Sequence, residues 1–295
     1  MSKSAILSSS IAKKWWMALT GLFLCLFLVG HLLGNLQLIF ITGEEGRMAF
    51  NDYAYFMTHN PAIKILSYLT YFSILFHAID GLMLTIQNKK ARPVKYAYNK
   101  PGANSSTPSR YMAILGSAIL IFIVLHMSNF WGQMHFGGIE LHKVAIENPM
   151  GGGNEEYYIN RNGGFLPVAC FVDGEDGAPA QMEIKNDTKF YNSQFNLSMG
   201  EGQKDLHSLV MAFFGQDKSK YGFEANKNAI VAVIVYVVAM LVLMFHLWHG
   251  FASAFQTLGV KNERFTPIIE NFGKAFSMLV PIAFAIIPIL IYLNK

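Results

Sequence analysis

The sequence predicts an all-α membrane protein of five transmembrane helices, with a long loop-rich extracytoplasmic insertion between the third and the fourth. Three observations predict it. Of 295 residues, 53% are hydrophobic and only 14% charged, and the mean hydropathy is +0.31, outside the composition of soluble domains. The apolar residues gather in stretches of about twenty or more, the length that crosses a hydrocarbon core of roughly 30 Å. One long segment, residues 135–227, carries 13 acids and 8 bases and is too polar for the bilayer. The same composition excludes collagen, a disordered chain and a disulfide scaffold. Cys25 stands in an apolar stretch and Cys170 in a polar one, so neither an internal bridge nor a thiolate metal cage is expected. A net charge of +4 without a basic stripe interleaved with aromatics gives no sign of nucleic-acid binding.

The chain divides accordingly into residues 1–134 with helices I to III, the insertion 135–227, and residues 228–295 with helices IV and V. Helix I, near 15–41, follows Lys3, Lys13 and Lys14 in the manner of a signal peptide. Its apolar run is too long and no small-residue cleavage site closes it, which predicts a retained helix. Helices II to V are expected near 61–88, 110–134, 228–256 and 271–293. The connection between I and II holds Glu44, Glu45 and Asp52 against the single base Arg47. The next connection holds Lys89, Lys90, Arg92, Lys95 and Lys100, with Arg110 at its edge and no acid, and the last adds Lys261, Arg264 and Lys274. Because basic residues near span ends are retained in the cytoplasm, the amino terminus is inside, and the insertion and carboxyl terminus are outside. Turn-like runs punctuate the insertion at Gly151-Gly152-Gly153, Asn162-Gly163-Gly164 and Asp173-Gly174-Glu175-Asp176-Gly177, so a cap of a few short strands is expected. At its end Leu206, Leu209, Val210, Phe213 and Phe214 recur at helical spacing and predict a short amphipathic helix at the membrane interface.

Ionisable residues inside a membrane are costly and are functional by default. Helices I to IV carry His31, His77, His126 and His246, with His249 one turn beyond the last. At about 1.5 Å per residue, His31 and His126 share an outer level, and His77 and His246 an inner one. Paired histidines on different helices at two heights suit two bis-histidine haems stacked in a four-helix bundle, where ligation on both faces leaves an iron that only relays electrons. The competing reading is a set of proton-relay histidines. Small residues near the ligands, Gly30 and Gly34 about His31, Gly81 after His77 and Gly250 after His246, would let a macrocycle approach the backbone. The repeated His-x-x-x-Gly spacing favours His246 over His249. His59, His135, His142 and His207 read as solvated or interfacial.

The opening run from Ser8 to Lys14, then Met17-Ala18-Leu19-Thr20-Gly21-Leu22 and His31-Leu32-Leu33-Gly34-Asn35-Leu36, resembles the start of the cytochrome b subunit of the succinate dehydrogenase and fumarate reductase family, in its five-helix, dihaem, single-anchor form. His246-Leu247-Trp248-His249-Gly250-Phe251, followed by Ser253-Ala254-Phe255-Gln256-Thr257-Leu258-Gly259, resembles its fourth helix. The resemblance covers all five helices and about two thirds of the chain. It implies two haem b groups, the outer on His31 and His126 and the inner on His77 and His246. It implies a bacterial cytoplasmic-membrane anchor in the tricarboxylic acid cycle and respiration, with a flavoprotein subunit and an iron–sulfur subunit docked on the cytoplasmic face. The dicarboxylate chemistry would lie on the flavoprotein, and a quinone, menaquinone rather than ubiquinone, would exchange electrons with the anchor, with an oligomer of the complex left open. By the same analogy the quinone lies near the outer haem, where Asp52 and Tyr53, with His59 and Asn60, supply polar groups. The insertion, with its extra material around 138–202, is far longer than the family's tight connection.

Among the other groups, Lys89, Lys90, Arg92 and Arg110 could meet haem propionates, though topology explains them as well. Asp80 reads as a helix-end carboxylate reaching for the inner surface, with a proton-handling role as the alternative. Pro281 and Pro288 would bend helix V, which is assigned packing only. Trp15, Trp16 and Trp131 read as interfacial anchors, and Trp248 as an anchor or a haem-edge residue. Two rivals stand beside the dihaem anchor: a haem-b subunit of another quinone-linked enzyme such as a hydrogenase or formate dehydrogenase, and a haem-free proton-coupled transporter.

Overall fold

A computed structural model describes residues 9–91, 93–94, 100–147, 153–174, 177–260 and 262–294. Lys3 and Ser8, the bases Arg92, Lys95 and Lys261, and the turn residues Gly151, Gly152, Glu175 and Asp176 lie outside the described residues. The chain forms two compact units, Met1–Leu36 with Asn60–Leu125 and Val231–Leu290, and Gln37–His59 with His126–Ile230 and Ile291–Lys295.

Five helices are long and apolar enough to cross a membrane. We name the main helices α1 (Ser10–Phe40), α2 (Gly43–His59), α3 (Pro61–Lys90), α4 (Met112–His126), α5 (Leu206–Phe213), α6 (Ala229–Thr257) and α7 (Thr266–Leu293). The spans are α1, α3, α4 with its extension to Phe136, α6 and α7, close to the expected stretches. Side chains such as Ile65, Leu82 and Ile121 are more than 60% exposed, as the faces of membrane helices turned to lipid must be. In the first unit Cys25, Leu247 and Phe251 form a small core with Leu22, Leu243 and Phe276. Phe251 lies over Gly273, where an added Cβ would sit 2.7 Å from its ring; the missing side chain is what lets α6 and α7 close there. Helix α7 runs through Pro281 and Pro288 without a break. Cys25 and Cys170 are both free.

The connection between the first two spans is itself a helix, which the hydropathy pattern did not foresee. Gly43, at φ +69°, turns the chain out of α1, and Glu44 and Glu45 occupy the first turn of α2, where the helix dipole favours negative charge. The buried residues of α2 are Gly46, Arg47, Phe50, Asn51 and Ala54. They follow helical spacing, but two of them are polar, so an apolar stripe is absent. Asn60 then caps α3, its side chain accepting from the Ala62 and Ile63 amides, with Pro61 at the first helical position.

In the second unit the insertion forms two three-stranded antiparallel sheets in sequential order. The first joins β1 (Lys143–Glu147), β2 (Asn154–Ile159) and β3 (Phe165–Pro167), with Gly163 and Gly164 at positive φ between β2 and β3. The second joins β4 (Met182–Lys185), β5 (Lys189–Asn192) and β6 (Ser198–Glu201). Its first turn passes through Asn186 and Asp187 at φ +50° and +64°, a region those residue types tolerate. Phe190, fully buried, packs with Leu141 and Tyr158, and the rings of Phe171, Tyr158 and Phe190 lie 5.1–5.6 Å apart. The expected helix at the end of the insertion is α5. Its N-cap Asp205 accepts from the Ser208 amide, and the Asn51 side chain accepts from the His207 amide at 2.8 Å, so two open donors of its first turn are met.

Candidate cofactor site

Within the first unit, α3 and α6 set His77 against His246. Their ring centres are 6.1 Å apart with planes inclined at 69°. A metal bound to two imidazoles at about 2 Å each places the ring centres about 6 Å apart, so the spacing fits one iron between them. Of the neighbours His246 and His249, the structure sets His246 against His77. The His77 Nδ1 donates to the Met17 carbonyl at 3.2 Å and lies 3.3 Å from the Thr20 hydroxyl. A carbonyl can only accept, so the hydrogen-bond network assigns the proton to Nδ1 and leaves the Nε2 lone pair for a metal. The Nδ1 of His246 is shut away from solvent and has no hydrogen-bond partner among the described residues.

The glycines that matter here are ones the sequence reading passed over. A Cβ on Gly21 would lie 3.1 Å from the His77 ring, and one on Gly116 would lie 3.7 Å from the His246 ring. Gly81 and Gly250, the glycines of the His-x-x-x-Gly pattern, face instead the methyls of Met17 and Met112, which a Cβ on either glycine would meet at 3.9 Å. The two halves of the unit therefore match: Met17 and Gly21 on α1 face Gly81 and His77 on α3, as Met112 and Gly116 on α4 face Gly250 and His246 on α6. The sequence carries the signal as a spacing, since Met17, Gly21 and His31 recur at an offset of 95 residues as Met112, Gly116 and His126.

His31 belongs to the first unit, where its ring stacks on Phe27 at 5.3 Å and meets Phe284 of α7 at 5.6 Å, so the packing face of α7 includes His31. His126 opens the second unit and precedes a π-helical segment, Met127–Gly132, a widening of the helix often found at functional positions. Asp80 is only 8% exposed and lies ten residues before the end of α3, at Lys90. Its expected place at the helix end is therefore corrected: it is buried, with Lys13 and His77 as its charged or chargeable neighbours. Trp15, Trp16 and Trp248 are exposed.

Asp52 and Tyr53 both lie on α2. Asp52 pairs with Arg161 and accepts from the Gln203 side chain at 3.1 Å, so it ties the insertion to α2. Burial pushes the Tyr53 hydroxyl up from its ordinary pKa. His59 and His135 are exposed, as expected, and stack on Tyr55 and Trp131. His142 and His207 correct the expectation: both are buried, at 0% and 5% exposure, because they belong to a polar cluster that sequence reasoning missed. Its centre is Arg47, 2% exposed, which donates to Asp205 through Nε and Nη2 and to the Lys143 carbonyl and Glu44 through Nη1. Asn51 donates to Asp205 at 2.8 Å, and its side-chain nitrogen lies 3.2 Å from His142 Nδ1. His142 Nε2 is 2.8 Å from Glu44.

Burial pushes the Asp205 carboxyl up, but the hydrogen bonds and charge of Arg47, with bonds from Asn51 and Ser208, outweigh it and hold it below the usual carboxylate range. Glu44 is lowered too; burial raises it, and His142 and Arg47 overcome that. Burial lowers His207 to about 4, against an opposing pull from Asp205 and with smaller lowering contributions from Lys218 and Arg47. The unfolded chain then takes up the His207 proton first as pH falls, so stability drops between about pH 6.5 and 4, by up to the order of 3 kcal/mol. Asp205 and Glu44, depressed when folded, hold their contributions above the ordinary carboxylate pKa and lose them below it. Hydrogen exchange of α2 and α5 is therefore expected to accelerate on acidification from pH 7 to 4, and His207→Phe to flatten the upper part of that profile.

The five apolar spans make this a multi-pass membrane protein. No family model, curated protein or solved structure matches the chain.

Proposed function

We propose that the chain is the dihaem cytochrome b anchor subunit of a succinate:quinone oxidoreductase. The observation that carries this reading is the apposition of His77 and His246 at the spacing of a bis-imidazole metal, with the His77 tautomer set for ligation. Haem b held this way passes single electrons and offers no open position to oxygen. Among the described residues no three His, Cys, Asp or Glu side chains gather to hold a metal ion; an ion held by His77 and His246 would need the equatorial donors of a porphyrin. Gly21 and Gly116 keep room at the two imidazoles, and the Met17 carbonyl orients one of them. The outer pair, His31 and His126, rests on the repeat: each stands ten residues beyond the glycine of its helix, about 15 Å along the axis.

In this reading the amino terminus and the bases Lys89, Lys90, Lys100 and Arg110 face the cytoplasm of a bacterium, where a flavoprotein subunit and an iron–sulfur subunit dock. Menaquinone is the proposed lipid-soluble partner. With Asp52 held by Arg161 and Gln203, Tyr53 is the remaining proposed donor to its headgroup.

The test is the reduced-minus-oxidised visible spectrum of the purified complex together with its subunit composition. A sharp α-band, two haems per chain and co-purification with a succinate-oxidising flavoprotein are expected. A colourless preparation under full haem supply would leave the proton-coupled transporter, and haem with a hydrogenase or formate dehydrogenase partner would assign the chain to that class.

A further inference from the structure

The two halves of the first unit share a methionine, a glycine and a histidine around each of the paired imidazoles, and among the positions where they differ one lies within hydrogen-bonding distance of an imidazole nitrogen. Thr20, which precedes Gly21, is replaced by Leu115, which precedes Gly116. Thr20 is 4% exposed. Its hydroxyl donates to the Trp16 carbonyl at 2.8 Å, which leaves an oxygen lone pair 3.3 Å from His77 Nδ1. His77 therefore has two acceptors around one N–H, the Met17 carbonyl and the Thr20 hydroxyl. On the other half a leucine offers none, and His246 Nδ1 has no hydrogen-bond partner among the described residues.

We propose that Thr20 is a positioning residue that makes the inner ligand pair electronically unequal, with His77 the stronger donor and His246 the weaker. This rests on the reading of His77 and His246 as ligands of one haem iron. An acceptor on the distal ring nitrogen raises the basicity of the imidazole and favours the more highly charged metal state, so the Thr20 hydroxyl lowers the reduction potential of the inner haem. Leu115 withholds the same effect from the opposite face. A symmetric pair of threonines would lower the potential further, and a symmetric pair of apolar residues would raise it.

The test is a potentiometric titration of the α-band of the intact complex in four forms: wild type, Thr20→Val, Thr20→Ser and Leu115→Thr. Thr20→Val removes the acceptor with little change in shape. It is expected to raise the reduced-to-oxidised ratio of the inner haem at a fixed potential by up to tenfold, about 59 mV for a one-electron couple. Thr20→Ser keeps the wild-type potential, and Leu115→Thr shifts it in the opposite direction. Shifts of opposite sign at the two equivalent positions are what a packing role would not produce. An unchanged potential in both Thr20→Val and Leu115→Thr, with the inner haem present, overturns the role of Thr20 and leaves the ligand assignment standing. If Thr20→Val fails to assemble, the sign of the Leu115→Thr shift decides alone. Wild-type protein without an inner haem overturns the underlying reading and this inference together, and the wild-type spectrum separates that outcome from the other.

Discussion

On the proposed dihaem reading, His246→Ala is expected to remove the inner haem, roughly half of the bound haem, while His249→Ala retains the full complement. The two histidines lie one turn apart on α6 and the sequence alone offers both, but only an imidazole that meets its counterpart at a metal's distance can share an iron. His246 lies 6.1 Å from His77, ring centre to ring centre, and Gly116 leaves it the space. His77→Ala should match His246→Ala, because a six-coordinate site loses its hold when either axial donor goes. The measurement is haem per polypeptide by pyridine haemochrome, with the spectrum of the remaining outer haem as an internal control for folding. Full haem content in His246→Ala, or loss in His249→Ala, would reverse the assignment of the ligand on α6.

Arg47→Met should destabilise the second unit by about 3–5 kcal/mol. The pair it breaks is closed to water: the side chains of Arg47 and Asp205 are 3% and 0% exposed and 2.6 Å apart. Removing the guanidinium strands a buried carboxylate, and it also frees the Lys143 carbonyl. An exposed ion pair would contribute no more than about 1 kcal/mol, so the size of the loss distinguishes the two cases. Arg47→Met combined with Asp205→Asn removes both charges and is expected to recover much of the loss, since the Asn side-chain oxygen can still accept from the Ser208 amide. Hydrogen exchange of α2, α5 and β1 measures both, and a loss below about 1 kcal/mol in the single variant would sink the assignment.

The spans were legible because a bilayer imposes length and hydropathy on each helix separately, so a linear scan recovers them. The shared level of His77 and His246 was legible for the same reason, since rise per residue is constant. What the scan could not reach was α2, whose inward face sets Arg47 and Asn51 among Gly46, Phe50 and Ala54. A helix stabilised through a buried ion pair leaves no hydrophobic stripe, and its partners Asp205 and His142 are far away in sequence. His142 and His207 were misplaced for that reason. The pairing of Gly21 with His77 and Gly116 with His246 needed the three-dimensional contact, although the 95-residue offset that relates α1 to α4 was already written in the chain.

One guanidinium also holds two distant points of the inserted segment. Arg47 reaches the Lys143 carbonyl and the Asp205 carboxylate, so residues 144–204 leave and re-enter beside one side chain, with Arg161 and Gln203 held to Asp52 as a second tie. Closing such an excursion becomes only slowly harder as it lengthens, by about 0.6 kcal/mol per doubling. The stretch between the two attachment points can therefore change length at small entropic cost wherever Arg161 and Gln203 keep Asp52 and Phe190 keeps its packing on Leu141.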